Sequence, residues 1–156
     1  MATGPWNLGR FLEEQDQRIG SGQTVFDDAC RQVERGKKTG HWIWYIYPQL
    51  VGLGSSDCSK KFALSGVDEA RAYDAHPVLG ARLCEATEAI MHSAEPDVNV
   101  IFDDDWVKVR SCMTLFALTA KDPQLFEDVL RAKFRDTRCS ETVTRINAQK
   151  ATEESR

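Results

Sequence analysis

The 156-residue sequence predicts an all-α fold, a compact single-domain bundle of about seven helices joined by short loops. Three observations carry the prediction. Apolar residues recur at i, i+3, i+4 and i+7 in successive segments. Ser, Thr, Asn or Asp stands in front of several of these segments, and Gly or Pro often stands behind. No internal repeat or second domain interrupts the series. Residues 1–150 read as one helical domain and 151–156, ATEESR, as a frayed tail.

The elements follow in order. NLGRFLEEQDQ opens the series, with Asn7 as its cap and Leu8, Phe11 and Leu12 on one face. TVFDDACRQVERG is next. Thr24 with Asp27 forms a loose capping box, Gly36 is a stop, and Phe26, Ala29, Cys30 and Val33 repeat at helical spacing. HWIWYIYPQLVGLGSS, from residue 41, is ambiguous by period. As a strand it puts Trp42, Trp44 and Ile46 on one face. As a helix it groups His41, Trp44 and Tyr45 and ends at Pro48. Gly52 and Gly54 then permit a tight turn.

Ser65 with Asp68 is expected to cap GVDEARAYDA, which stops before Pro77. Pro77 suits the first position of PVLGARLCEATEAIMHS, where Leu79, Leu83, Ala86 and Ile90 align. DDDWVKVRSCMTLFALTA follows, opening on three aspartates. Asp122 and Pro123 start DPQLFEDVLRAKF, and Ser140 is expected to cap a final short helix.

Composition bounds the function. Hydrophobic residues make up 42% and charged residues 28%, ordinary for a globular chain. The net charge of −4 leaves no footprint for a nucleic-acid duplex, though a local basic pocket remains open. No run approaches the apolar length of a membrane span, and the N-terminal MATGPWNLGRF lacks the core of a signal peptide. Five cysteines, an odd number without C-x-x-C spacing, argue against a disulfide framework and a zinc site. A reducing, cytoplasmic compartment with all five thiols free is the expectation.

One helix is unlike the rest. On a wheel, Trp106, Val109, Met113, Phe116, Ala117 and Ala120 form a core stripe. The opposite side carries Lys108 and Ser111, yet also Leu115 and Leu118. A helix apolar on both sides is central in its domain. Lys108, Ser111 and Thr114 then need partners, which are either internal groups or an anionic ligand. No acid shares the face of Lys108, so an open cleft is expected there. Asp103 to Asp105 suit the helix N-terminus and its dipole, and Asp104 or Asp105 is also a candidate general base.

At this point the residues resemble a known group. HWIWYIYPQLVGLG, DEARAYDAHPVLGARL and KVRSCMTLF, preceded by WNLGRF, are similar to successive blocks of the domain-of-unknown-function 1810 family. The resemblance spans nearly the whole chain and implies a small all-helical fold, which tips residues 41–48 towards helix. It brings no established activity. Where that family usually reads Ser-Ser-Met-Thr, this chain has Ser111, Cys112, Met113 and Thr114, so a role for the second hydroxyl is in doubt. A partial and loosely spaced resemblance links DWVKVRSCMTLFALTAKDPQLFEDVL to the late helices of NADAR (YbiA-like) N-glycosidases. It implies a ligand class, ADP-ribose-type nucleotides, and no catalytic assignment.

The aromatic cluster has two readings. Aromatic side chains dominate cores, yet a ring beside a Gly-rich turn can stack a base while backbone approaches phosphate. GLGSS lacks the spacing of a phosphate-binding fingerprint. His41, His76 and His92 are not at metal-ligand spacing, and Glu88 with His92 reads as a surface pair. Glu69 shares a face with Tyr73 and is the best acid or base outside the aspartates.

Two functions emerge. In the first, the protein binds or hydrolyses a nucleotide-like phosphorylated metabolite. Trp44 or Tyr45 stacks on the base beside His41 and Gln49. Lys108 and the Gly52, Gly54 and Ser55 backbone hold phosphate. Ser111 and Thr114 orient the ligand, and Glu69, Asp104 or Asp105 activates water. No metal or other cofactor is called for. In the second, an aromatic patch binds another protein.

Overall fold

The computed structural model describes residues 6–20 and 22–154 and is all-α. Among the described residues seven helices have seven residues or more, as expected, and two isolated bridges take the place of any strand. Those seven are α1 (Gly9–Gln15), α2 (Val25–Arg35), α5 (Val67–Ala75), α6 (Leu79–Met91), α8 (Trp106–Thr119), α9 (Gln124–Lys133) and α10 (Ser140–Glu154). Shorter turns complete the series: α3 (Ile43–Ile46), α4 (Asp57–Phe62) and α7 (Val98–Phe102), with a 3-10 turn over Asp103–Asp105.

Helix α2 forms as its sequence dictates. The Thr24 hydroxyl accepts from the Asp27 N–H at 3.1 Å, and Gly36 ends the helix at φ 99°. Phe26, Ala29, Cys30 and Val33 are all buried. Helix α8 is the central element, packed against α5, α7, α9 and α10, with both sides covered. Its two-sided apolar pattern asked for that position.

Several caps differ from expectation. Asn7 does not cap α1, whose N-cap is Leu8 with no side-chain bond. Ser65 does not cap α5. Its own N–H is capped by Glu69 Oε1 at 2.8 Å, while Gln149 Oε1 from α10 accepts the Val67 N–H at 2.7 Å. Pro77 lies outside α6, and His76 Nδ1 accepts the N–H groups of Val78 and Leu79 instead. The aspartates before α8 make no side-chain cap. Ser140 is the first residue inside α10 rather than its cap, and the final helix is the longest, reaching Glu154 through the stretch read as a tail.

Residues 41–48 are helical for one turn only, Ile43–Ile46. Pro48 disfavours helical geometry at the residue before it, and Tyr47 accordingly sits at φ −122°, ψ 75°. The turn works as a plug. Trp42, Ile43, Ile46 and Tyr47 are buried, while Trp44 and Tyr45 are half-buried. Tyr47 donates to the Ala86 carbonyl at 2.7 Å and meets Phe102 edge-on. Trp42 Nε1 donates to Gln32 Oε1 at 3.0 Å. Each polar tip therefore has its partner inside the core, as a buried Tyr or Trp requires.

Candidate functional site

The N-terminal end of α8 gathers charge. Lys108 Nζ donates to Asp105 Oδ1 at 2.6 Å, and Lys38 Nζ lies 3.0 Å from Asp105 Oδ2. Partial burial pushes the Asp105 carboxyl up, but the bonds to Lys108 and Lys38 outweigh it and hold it below its ordinary value. Both ammonium groups also face rings. Lys108 lies 4.9 Å from the Trp44 centroid, and Lys38 lies 5.2 Å from that of Trp42. Lys108 is thus no open cation. Its acid is Asp105, three residues back in the 3-10 turn and the first residue of DWVKVRSCMTLFALTA, which overturns the expectation that no acid shares its face.

The other nominated residues scatter. Ser111 and Thr114 donate to their own helix, at the carbonyls of Val107 and Arg110. Glu69 is 4% exposed and salt-bridged to Arg10 at 2.9 Å, between α1 and α5. Arg10 is further fixed by the carbonyls of Lys61 and Ala63. Tyr45 stacks edge-on against Phe62. His41, Gly52, Gly54 and Ser55 are exposed, and Arg145 of α10 donates to the Val51 carbonyl beside Gly52. Trp44, Gln49 and Gly54 do share a crevice, but its volume of about 10 Å³ holds a water at most. Asp104 is exposed, whereas Asp105 is bound between the two lysines.

A cleft of about 560 Å³ opens instead between the start of α7, the start of α8 and the end of α9. That volume suits a small metabolite. Trp106 and Arg110 line it from α8, Asp97 and Asn99 from α7, Lys133 and Arg135 from α9 and the loop beyond. The Arg110 guanidinium lies 4.9 Å from the Trp106 centroid, and its Nε is buried without a hydrogen-bond partner among the described residues. The rim is built by an unusual turn. Arg135 and Asp136 adopt φ 54° and 57°, conformations that non-glycine residues occupy at a cost. The Asp136 N–H donates to the Leu130 carbonyl at 2.9 Å, closing the end of α9, and Arg138 pairs with both oxygens of Glu127.

Sequence reasoning placed Trp106 in the core stripe and passed over Arg110, Lys133 and Arg135. Trp106 is half-buried at the cleft. A Trp and an Arg four apart on one helix were the available signal. Lys133 and Arg135 had none, since only the packing of the end of α9 and the turn beyond it against α7 and α8 sets them at the cleft.

A family model described as a protein of unknown function (DUF1810) matches residues 5–146. The chain belongs to the DUF1810 family. A solved structure gives the same fold. The conserved hypothetical protein Rv1873 from Mycobacterium tuberculosis, determined at 1.38 Å, is 32% identical, with a TM-score of 0.83. The match covers 92% of this chain and 99% of that one. A comparison with curated proteins gives no match. In this DUF1810 protein, Cys112 is wholly buried, and burial pushes its thiol well up. The serine-to-cysteine departure therefore falls in the core and outside the cleft lining. Among the described residues of this DUF1810 protein, no helix is long and apolar enough to cross a membrane.

Proposed function

We propose that this protein binds a nucleotide-like phosphorylated metabolite in the Trp106 cleft. The observation that carries the reading is charge. Three cations, Arg110, Lys133 and Arg135, line a metabolite-sized cleft on a chain whose net charge is −4. The one lining carboxylate, Asp97, is engaged by the Asn99 N–H at 2.9 Å. Arginine forks suit phosphate, and the Trp106 indole offers a ring for a base.

An ADP-ribose-type ligand is the concrete version, with binding as the primary role. In a hydrolytic version acting on an N-glycosidic bond, Asp104 is the acid to activate water. It is exposed just before Trp106 and carries no ion pair among the described residues. Glu69 and Asp105 serve that role poorly, since each is held by basic side chains.

A thermal-shift series with ADP-ribose, AMP and inorganic phosphate tests the reading. A ligand at 100 times its dissociation constant adds about 2.7 kcal/mol of stability. Arg110→Gln and Trp106→Ala should each remove the shift. Absence of a shift with every one of these ligands overturns the reading. Among the described residues no aromatic side chain is one of the exposed large hydrophobics, and the rings of residues 42–47 are buried or half-buried, which supports the cleft reading over docking through an aromatic patch.

A further inference from the structure

One acid stands in the lining of the basic cleft. Arg110, Lys133 and Arg135 set three positive charges around it against a single negative one, that of Asp97. In a site for phosphate alone a carboxylate weakens binding, because like charges repel. Yet Asp97 is firmly held in place. It is the N-cap of α7, with Oδ1 accepting the Asn99 N–H at 2.9 Å. Its carbonyl accepts the N–H groups of Val100 and Ile101 at 3.0 and 3.1 Å, and its own N–H donates to Glu95 Oε2 at 3.0 Å.

Charge and geometry separate the two kinds of group. Among the described residues Asp97 forms no ion pair with Arg110, Lys133 or Arg135, and none of these three pairs with another acid. Asp97 comes from the α7 wall of the cleft, whereas the cations come from α8, the end of α9 and the turn beyond it. An ionised carboxylate has about four acceptor sites on its two oxygens. The Asn99 N–H takes one of them, on Oδ1, and Oδ2 has no partner among the described residues. A carboxylate fixed by its cap, with places for two more donors, thus lines one wall and unpaired cations line the others.

Two kinds of ligand group donate to a carboxylate. An ammonium would add a fourth cation to a lining whose three cations already exceed its one acid by two charges. Neutral hydroxyls carry no such penalty. A vicinal diol offers two O–H donors side by side, a match for the two oxygens of one carboxylate. Resting on the cleft reading above, we propose that Asp97 is a specificity-determining residue. It selects phosphorylated ligands that carry a vicinal diol, whose hydroxyls donate to its carboxylate while the phosphate lies among Arg110, Lys133 and Arg135. A ribonucleotide has that chemistry, and a 2′-deoxyribonucleotide lacks one of the two donors.

Calorimetric titration of the full chain with AMP, 2′-deoxy-AMP, ADP-ribose and inorganic phosphate is the test. Wild type should bind AMP about tenfold more tightly than 2′-deoxy-AMP. That is the low end for a hydrogen bond to a charged group, because Asp97 is exposed and water can take the lost place. Asp97→Asn removes the charge and keeps the α7 cap, since Asn caps as well as Asp. The variant should bind the two nucleotides with equal affinity and inorganic phosphate at least as tightly as wild type. Equal affinities of wild type for AMP and 2′-deoxy-AMP, a comparison that needs no variant, would overturn the diol assignment and leave the cleft reading standing. A wild-type preference retained by Asp97→Asn would do the same. Tighter binding of phosphoethanolamine than of AMP would give Asp97 an ammonium partner, which also overturns the assignment. Binding of none of these compounds would overturn the cleft reading and the diol assignment together.

Discussion

Lys108 Nζ lies 2.6 Å from Asp105 Oδ1 and 4.9 Å from the centre of the Trp44 ring, so one cation ties the α8 N-terminus to the α3 turn. The two side chains of the ion pair keep 28% and 22% of their surface, and Lys38 remains beside Asp105 if Lys108 is lost. A partly solvated pair is worth less than a buried one. Lys108→Met should therefore cost about 1 kcal/mol, a fall of roughly 2–4 °C in melting temperature at this chain length. A differential scanning measurement decides it, and a loss near 4 kcal/mol would place the pair among truly buried ones.

The same carboxylate sets a pH dependence. Asp105 is held below its ordinary value by two lysines, so its contribution is present above the unfolded value of about 3.9 and fades as pH falls through the folded one. Urea melts from pH 6 to pH 3 should show wild type losing more stability than Asp105→Asn over the acid part of that range. Parallel curves would remove Asp105 from the acid sensitivity.

Glu69 is a scaffold residue in its geometry. It joins Arg10 at 2.9 Å with only 5% of its side chain exposed, and it caps the Ser65 N–H. Glu69→Gln leaves the Arg10 guanidinium, 13% exposed, beside a neutral group, which should cost about 3 kcal/mol, the low end for a buried pair. Chemical denaturation reads this directly. A variant as stable as wild type would return Glu69 to the list of functional acids.

Gly80 stands in the first turn of α6, against the end of α5. A methyl group there would come 2.1 Å from the Asp74 carbonyl oxygen, a backbone atom that cannot swing aside. Helix propensity favours alanine over glycine by about 1 kcal/mol, while overpacking costs about 1–3 kcal/mol or more. The clash wins, and Gly80→Ala should destabilise by about 2 kcal/mol. A rise in melting temperature would show that α5 and α6 slide apart without strain.

Thiol accessibility should divide the cysteines. Cys30 and Cys112 are buried. Burial pushes the Cys30 thiol up to about 12, helped by Glu85, Glu34 and Asp27, and it pushes the Cys112 thiol well up. Native protein treated with a thiol reagent at pH 8 should leave both unlabelled, whereas denatured, reduced protein should yield all five. Labelling of Cys112 in the native state would mean that the core opens around α8.

Local chemistry determined what the sequence could disclose by itself. The period of Phe26 to Val33, with Thr24 before and Gly36 behind, specified α2 because each of those signals acts within one or two turns of chain. The two-sided apolar pattern of α8 likewise announced a central helix. Tertiary structure alone decided the rest, because the deciding partners are distant in the chain. Gln149 took over the cap of α5 from Ser65, and its partner Val67 lies 82 residues away. Trp42 and Tyr47 became core residues once Gln32 and Ala86 arrived to satisfy their polar tips. The cleft at Trp106 exists only where three helix ends meet, with its basic rim turned inward by Arg135 and Asp136 in left-handed backbone conformation. A sequence pattern reports the face a residue occupies on its own helix, whereas a binding site depends on which faces from distant segments are packed together.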